Sequence, residues 1–459
     1  MTTDEHLSGA PGWALRTVPV ELEKRWLAAG LWNDRTLGSQ LDEALRNHAD
    51  QTFRIHSEVR PWSGTFGDVR IRARRLAGAL SARGVGPGDP VAFQLPNWVE
   101  AAVTFYAAAL LGAVVVPIVH FYGPKEVGYI LRRTGVHVLV TAATFGHADY
   151  LDGLLRMGDA LDGVHTIAVV ASPPGSLPEG LLDFDALEAE GAPIASPVAV
   201  DPDSAAIIAY TSGTTADPKG VIHSHRTIGS EVRQLGAMDA ASGRETLTGA
   251  PVGHAIGMLG ALLIPVLKGK SVHLVDDDGH PVGPGEPGEI WSRGPDCCMG
   301  YTDPALTDTY FDDAGWYRTE DIGVLDEDGY LSITDRKKDV IIRGGENISA
   351  VEVEEQLVVM DGVVEVAVVA APHERLGEQA CAFVRPAGAD ATVDLAAIRR
   401  HLSNSGLAHQ KWPEQLRFVD ELPRTPSGKV KKEVLRQILR DEASGGTPGW
   451  ENVAHGPQC

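Results

Sequence analysis

Helical and strand-like patterns alternate between residues 66 and 141, and this alternation constrains the fold more than any other feature of the sequence. Apolar residues recur at helical spacing from Phe66 to Arg83, and Pro90 to Leu95 is a short apolar strand. The same order returns with a helical pattern from Lys125 to Arg133 and a strand pattern from Val136 to Thr141. Alternation of this kind predicts a mostly parallel α/β sheet with helices on its faces.

The run from Ala101 to Val119 contains no charged residue and is almost long enough to cross a bilayer. Gly112 and Pro117 divide it. Its first part is rich in Ala and Leu, which favour a helix, whereas its second part is rich in Val, which favours a strand. We therefore predict a buried helix followed by a buried parallel strand, and no transmembrane segment.

Composition narrows the class of protein. The chain has 459 residues, of which 43% are hydrophobic and 22% charged, as expected of a globular protein with more than one domain. The net charge of -22 argues against nucleic acid or an anionic membrane as the main partner. The cysteines, Cys297, Cys298, Cys381 and Cys459, show neither zinc spacing nor a disulfide framework. No signal-peptide pattern begins the chain, so a cytoplasmic location is expected.

A stretch rich in Ser, Thr and Gly follows the apolar strand pattern Ala205 to Tyr210. Its residues are Tyr210, Thr211, Ser212, Gly213, Thr214, Thr215, Ala216, Asp217, Pro218, Lys219 and Gly220. Glycine lets backbone N–H groups approach an anion, hydroxyls add donors and lysine adds a charge, so the stretch suits a polyphosphate. It is not a Walker A loop, because Gly220 follows Lys219. The alternative is a surface turn. Val221 to His225 is then predicted as a strand and Thr227 to Leu235 as a helix.

This order of residues resembles the phosphate-binding motif of the adenylate-forming superfamily, which includes acyl-CoA synthetases, adenylation domains of peptide synthetases and luciferases. The resemblance runs from about Trp32 to about Leu439. It implies a large N-terminal α/β domain with mostly parallel sheets and a small C-terminal α+β domain. The expected division is an N-terminal extension (1–30), the large domain (31–337), the small domain (338–442) and a disordered tail (443–459).

The resemblance also implies roles for single residues. The nucleotide phosphates would be bound by Thr211, Ser212, Gly213, Thr214, Thr215 and Lys219. Asp321 matches the aspartate that holds the two ribose hydroxyls of AMP, because a carboxylate can accept both hydrogen bonds. Glu320 stands where the family has glycine, which places the local backbone geometry in question. Arg336 would contact ribose or phosphate, and Lys338 matches the hinge between the domains.

The remaining roles concern the acyl group and its acceptor. His254 matches a histidine that borders the acyl pocket, although a lone histidine is more often structural. Gly344 and Gly345 match a loop that enters the active site for thioester formation and lines the pantetheine tunnel; otherwise they form a turn. Lys429 lies in a segment that resembles the catalytic-lysine loop. It would bridge the substrate carboxylate and the α-phosphate as charge develops.

One family motif has no counterpart in this sequence. An aromatic-Gly-x-Thr-Glu segment, whose glutamate helps bind magnesium, is expected after the His254 region and is absent. The gap is placed near residues 273–277, although local patterns there predict only a hairpin from Val272 to Val275 and Gly288 to Trp291. A natural deletion, a gene-model error or an engineered truncation would each give this sequence. We expect a damaged large domain and weak or absent adenylation.

The resemblance implies that ATP activates a carboxylic acid, fatty or cyclic, to an acyl-AMP, and that the acyl group passes to CoA. ATP, Mg²⁺ and CoA are therefore the expected cofactors, without an identified protein ligand for the metal. The segment from Arg25 to Trp32 is also reminiscent of aryl-acid adenylating enzymes, which load a carrier protein. A third alternative is a non-catalytic remnant whose small domain still folds.

Overall fold

The structure is a computed structural model. It describes residues 14–444 except 58, 147, 174, 176, 212–217, 240–250, 256–257, 264–271, 276–286, 328–329, 345, 389–392, 406 and 426–427. Several predictions therefore fall outside the described residues. They are those on residues 1–13 of the N-terminal extension, on Ser212, Gly213, Thr214, Thr215 and Gly345, on part of the gap region, and on the tail from residue 445.

The described helices and strands alternate along the first half of the chain, as the sequence predicts. The α-helices are α1 (Val20–Ala28), α2 (Leu37–Asn47), α3 (Phe66–Ser81), α4 (Val99–Leu110), α5 (Pro124–Thr134), α6 (Tyr150–Met157), α7 (Phe184–Glu190), α8 (His225–Asp239), α9 (Pro304–Tyr310), α10 (Ala350–Val358), α11 (Leu395–Asn404) and α12 (Lys432–Ala443). The strands are β1 (Thr52–Ile55), β2 (Trp62–Thr65), β3 (Pro90–Gln94), β4 (Val114–Ile118), β5 (Val138–Ala142), β6 (Thr144–Phe145), β7 (Ala148–Asp149), β8 (Thr166–Val170), β9 (Leu182–Asp183), β10 (Ala205–Thr211), β11 (Lys219–Ser224), β12 (Val272–Val275), β13 (Pro287–Ser292), β14 (Gly300–Tyr301), β15 (Tyr317–Leu325), β16 (Leu331–Arg336), β17 (Ile341–Arg343), β18 (Glu346–Ile348), β19 (Val363–His373), β20 (Gly377–Pro386) and β21 (Gln415–Phe418).

The chain divides into two compact units. Unit 1 comprises residues 1–213, 217–271 and 293–317, and unit 2 comprises residues 214–216, 272–292 and 318–459. Both units are therefore discontinuous in sequence.

Unit 1 contains a sheet with the strand order β14-β11-β10-β4-β3-β5-β8-β9. The strands from β10 to β9 are parallel to their neighbours, whereas β11 pairs antiparallel with both β10 and β14. The sheet is thus mixed: β11 alone among these strands runs against the direction of the parallel body.

The uncharged run from residue 101 to residue 119 forms the predicted helix and strand. Every residue of α4 and β4 is buried, which explains why α4 lacks an amphipathic pattern. None of the described helices is both long and apolar enough to span a membrane. Helix α3 shows the opposite pattern: its apolar stripe is buried, and Thr65 and Asp68 form a reciprocal cap at its N-terminus.

The predicted boundary between β11 and α8 was late by one residue for the end of the strand and by two for the start of the helix. His225 belongs to the helix, and Ser224 ends the strand. The reason is a local cap: the Ser224 N–H donates to Thr227 Oγ1 at 2.9 Å, and the Thr227 N–H donates to Ser224 Oγ at 3.2 Å. These bonds start the helix earlier than the apolar spacing indicates.

Unit 2 contains two sheets. The first has the order β12-β13-β15-β16, and β12 and β13 form the antiparallel hairpin that local patterns predict. In the second sheet β20 pairs with β17, β19 and β21. Alternate residues of β20 enter two cores: Ala382 packs with α10 and α11, and Phe383 packs with α12. Strand periodicity therefore distributes the helices over both faces.

His225 makes the stability of unit 1 dependent on pH. Its side chain is buried and Nδ1 accepts the Leu37 N–H at 3.1 Å, and burial lowers the pKa of His225 to about 4. An unfolded histidine titrates near pH 6.5, so between these values the unfolded state binds a proton that the folded state does not. This contribution to stability is complete above about pH 6.5 and is lost as the pH falls towards 4.

We predict that a His225→Asn variant loses less stability between pH 7 and pH 5 than the unchanged protein. The amide oxygen can still accept the Leu37 N–H but does not titrate, and the difference should be about 2 kcal/mol. Urea unfolding at pH 5, 7 and 8 measures it, and the offset between the two proteins should be constant from pH 7 to pH 8. An equal loss in both proteins at pH 5 would contradict the assignment.

Candidate active site

Thr211 and Lys219 bracket the Ser- and Thr-rich stretch. Thr211 ends β10, Lys219 begins β11, and the two residues are paired in the antiparallel register of these strands. Thr211 is exposed, although the rest of β10 is buried. Because β10 is parallel to β4, this stretch leaves the sheet at the carboxyl edge of its parallel strands. Ligands of open α/β sheets bind at that edge.

Lys219 has a partner that the sequence did not reveal. Its Nζ donates to the hydroxyl of Tyr310 at 2.8 Å and lies 4.7 Å from the centre of the same ring. Tyr310 ends α9, far along the chain from Lys219. No local pattern marks such a contact, since it depends on the pairing of β14 with β11. The contact holds the ammonium group of Lys219 near the end of the hairpin.

His254 lies in a short segment that packs on the same edge of the sheet. The Val252 N–H donates to Asn97 Oδ1 at 2.9 Å, and Asn97 follows β3. A Cβ on Gly253 would overlap the carbonyl group of Ile118 at the end of β4. The segment is therefore seated against the ends of two adjacent parallel strands. His254 itself is half-buried, and Gly257, which follows it in the motif, lies outside the described residues.

Asp321 and Arg336 face each other on paired strands of unit 2. They are register partners on β15 and β16, and Arg336 Nε lies 2.7 Å from Asp321 Oδ1. Partial burial raises the pKa of Asp321, and the charge of Arg336 opposes that rise. Lys338 is exposed in the short helix Lys337–Asp339, which directly follows β16, and its charge also acts on Asp321. The structure thus brings these three predicted residues together.

Glu320 adopts a backbone conformation that normally favours glycine. Its φ is 60°, in the left-handed region, and its N–H donates to Glu289 Oε1 at 3.2 Å. No predicted role falls on Glu289. Its signal is a carboxylate in the middle of an otherwise apolar strand pattern from Gly288 to Trp291.

Gly344 lies in the tight turn between β17 and β18. Arg343 and Glu346 are register partners, so residues 344 and 345 alone connect the strands. Gly344 has a φ of 61°, which a side chain would disfavour. Its N–H donates to the carbonyl oxygen of Leu376 at 2.8 Å. Gly344 thus lies exposed in a turn, which both the predicted active-site loop and its alternative, a plain turn, would require.

Lys429 lies on a small closed loop of unit 2. The Thr425 N–H donates to the Lys429 carbonyl oxygen at 2.8 Å, and the Lys429 N–H donates to Thr425 Oγ1 at 3.1 Å. Arg424 and Val430 form an antiparallel bridge at the base of the loop. These bonds fix the backbone of Lys429 while its side chain is exposed. An exposed lysine on a fixed loop suits transient contact with a charged substrate.

The predicted residues fall into two groups. Thr211, Lys219 and His254 belong to unit 1, and Asp321, Arg336, Lys338, Gly344 and Lys429 belong to unit 2. Within the described ranges, no group of three or more His, Cys, Asp or Glu side chains could hold a metal ion.

Comparison with known proteins identifies two family matches. A family described as "AMP-binding enzyme" matches residues 41–275, and one described as "AMP-binding enzyme C-terminal domain" matches residues 352–429. Together the two matches cover more than half of the chain.

Two curated relatives match almost the whole chain. The medium-chain fatty-acid–CoA ligase of Escherichia coli (strain K12) is 26% identical over 523 residues, covering 89% of this chain and 91% of the relative. The 3-[(3aS,4S,7aS)-7a-methyl-1,5-dioxo-octahydro-1H-inden-4-yl]propanoyl:CoA ligase of Rhodococcus jostii (strain RHA1) is 31% identical over 516 residues, covering 88% of this chain and 98% of the relative. Both alignments are longer than the 459 residues of this chain. The relatives therefore contain residues that this chain lacks.

The fold has solved counterparts. ATP-bound MatB from Rhodopseudomonas palustris superimposes with a TM-score of 0.76 and 24% identity, covering 89% of this chain and 100% of that chain. At this identity the likeness concerns the fold alone. It confirms the predicted large α/β domain with a smaller C-terminal domain.

We predict that Gly253→Ala destabilises the segment that carries His254. The added Cβ would meet the backbone of Ile118 and would lie 2.8 Å from the Cα of Val119, and neither can move without disturbing β4. The free energy of unfolding should fall by about 1–3 kcal/mol. Gly163→Ala is the matched control, because nothing lies within 4 Å of its added Cβ. Equal shifts in urea-unfolding midpoint for both variants would contradict the packing.

Proposed function

This chain belongs to the family of AMP-binding enzymes, and from that membership we propose that it activates a carboxylic acid with ATP and transfers the acyl group to CoA. The relatives support acid adenylation and CoA transfer in general. Fatty and cyclic acids are the proposed substrate class, because the names of the two relatives contain one of each kind.

The pair Asp321 and Arg336 is the observation that carries this proposal. A carboxylate and a guanidinium lie 2.7 Å apart at the position where the family motif binds nucleotide. The carboxylate supplies acceptors for two ribose hydroxyls, and the guanidinium supplies donors for an oxygen of ribose or phosphate. Both side chains are partly exposed, so a nucleotide can reach them.

The first proposed half-reaction forms an acyl-adenylate. An oxygen of the substrate carboxylate attacks the α-phosphorus of ATP, the bond to the bridging oxygen breaks, and pyrophosphate leaves with its electron pair. Thr211, Lys219 and the residues between them would hold the phosphates. Lys429 would neutralise the charge that develops between the carboxylate and the α-phosphate.

The second proposed half-reaction forms the thioester. The CoA sulfur attacks the acyl carbon and its proton passes to water, the bond from the acyl carbon to the phosphate oxygen breaks, and AMP leaves with the electron pair. Lys338 would act as the hinge that exchanges the Lys429 loop for the Gly344 turn. Its place in a short exposed helix between β16 and β17 supports this role, because a hinge needs few residues that absorb a backbone rotation. One site would thus serve two reactions.

The segment that the relatives have and this chain lacks concerns the rate of the adenylation step. The AMP-binding match ends at residue 275, which supports a gap at the junction with residue 276. In relatives that segment would contribute to the large domain and carry the glutamate that helps bind magnesium. We propose that the chain consequently adenylates its substrate slowly.

We predict that Lys429→Ala lowers acyl-adenylate formation by about 100-fold, in the range seen when a charge-stabilising group is removed. The product is trapped with hydroxylamine from a panel of fatty and cyclic acids, with CoA and a holo-carrier protein compared as acceptors. Lys431→Ala is the matched control and should keep the original rate. Equal losses in both variants would contradict the assigned role of Lys429.

The missing segment also favours a second candidate, a non-catalytic remnant that still folds. A graft separates the two. The segment of the Escherichia coli ligase that has no counterpart here is inserted between residues 275 and 276. We predict that turnover rises at least about 10-fold, because restored charge neutralisation at the phosphate lowers the barrier. If the ungrafted chain shows no heat of ATP binding in calorimetry, the remnant is the better description.

A further inference from the structure

A buried carboxylate contacts both chain segments that carry the proposed ribose site. Glu289 lies on β13 with 5% of its surface exposed. One oxygen, Oε1, accepts the Glu320 N–H at 3.2 Å, and the other, Oε2, accepts Lys337 Nζ at 3.3 Å. A buried carboxylate is costly unless both oxygens have partners, and here both have one.

The two partners of Glu289 flank the two residues of the proposed site. Glu320 directly precedes Asp321, and Lys337 directly follows Arg336. Asp321 and Arg336 are register partners on β15 and β16. One carboxylate on β13 therefore ties together the chain on either side of the pair. Glu289 bonds to the backbone N–H of Glu320 and to the ammonium group of Lys337. The side chains of Asp321 and Arg336 are partly exposed.

The contact to Glu320 matters because of the backbone conformation there. Glu320 has a φ of 60°, a left-handed backbone conformation that is strained for any residue other than glycine. The Thr319 side chain restricts the backbone next to residue 320. Its hydroxyl donates to the Ile290 carbonyl oxygen at 2.7 Å and accepts the Asp321 N–H at 3.0 Å. If residue 320 relaxed to a negative φ, the direction of Asp321 relative to Arg336 would change.

We propose that Glu289 is a positioning residue, which holds Glu320 in its left-handed conformation so that the Asp321 carboxylate is directed at the ribose hydroxyls. This inference rests on the proposed function, since it presupposes that Asp321 binds ribose. It goes beyond that function by assigning a role to Glu289. It also explains how glutamate is accommodated at a position where glycine would be free of strain.

The test measures recognition of the hydroxyls and not affinity alone. Binding of AMP and of 2′,3′-dideoxyadenosine monophosphate is compared by calorimetry on the full chain. The unchanged protein should prefer AMP by about 10-fold or more, because a hydrogen bond to a charged group contributes at least that factor. Glu289→Ala should reduce the preference to less than about 3-fold. Glu289→Gln keeps a carbonyl oxygen for the Glu320 N–H and should retain the preference.

A second substitution provides the rescue. Glycine adopts positive φ without support, so Glu320→Gly in the Glu289→Ala background should restore the preference for AMP. Glu354→Ala is the matched control. Glu354 Oε1 also accepts a backbone N–H, from Val368 at 2.6 Å, and pairs with Lys432 at 2.8 Å. Its removal should lower the thermal midpoint but leave the preference for AMP unchanged.

The outcomes are distinct. If Glu289→Ala weakens both ligands equally and keeps the original preference, Glu289 is only structural and the inference is overturned. The same holds if Glu320→Gly fails to restore the preference. A protein without any preference in its unchanged form would instead refute the role of Asp321, and the inference with it. Should Glu289→Ala not fold, Glu289→Met has a similar volume without oxygen atoms and carries the same expectation.

Discussion

Burial of both faces of the central parallel strands is the constraint on which unit 1 depends. All residues of β3, β4, β5 and β8 are buried. Alternate residues enter different cores: Phe93 packs on one face of the sheet and Ala92 on the other. A parallel sheet must be covered on both sides. The helices therefore occupy its two faces, and the ends of its strands are left uncovered. Thr211, at the end of β10, and the His254 segment lie there for that reason.

The same constraint explains what the sequence could predict. The change from helix to strand around Gly112 follows from local composition and spacing, and it was confirmed. The start of α8 was missed because two side-chain hydrogen bonds of Ser224 and Thr227 outweigh apolar spacing. Caps of this kind are visible in sequence only when they match a known pattern.

Contacts between residues that are distant in sequence could not be predicted from the sequence. The bond from Lys219 to Tyr310 joins residues that are brought together only by sheet pairing. Glu289 and Glu320 are likewise separated in sequence and meet because β13 lies beside β15. The resemblance to a family identified Asp321 and Arg336 individually, but the distance between them required coordinates. Conversely, the roles of Ser212 to Thr215 and of Gly345 are still predictions, because these residues lie outside the described ranges.

Glu320 shows why such distant contacts matter for function. A strained backbone persists only where its surroundings contribute more free energy than relaxation would release. Here the surroundings are a carboxylate that is itself buried, and the ammonium group of Lys337 at 3.3 Å offsets the cost of burying its charge. The left-handed residue, the buried acid and the lysine are therefore interdependent, and substitution of one changes the cost of the other two. Unit 2 can thus form a well-defined Asp321–Arg336 pair from its own residues, because the contacts described for the pair and for Glu320 lie within that unit.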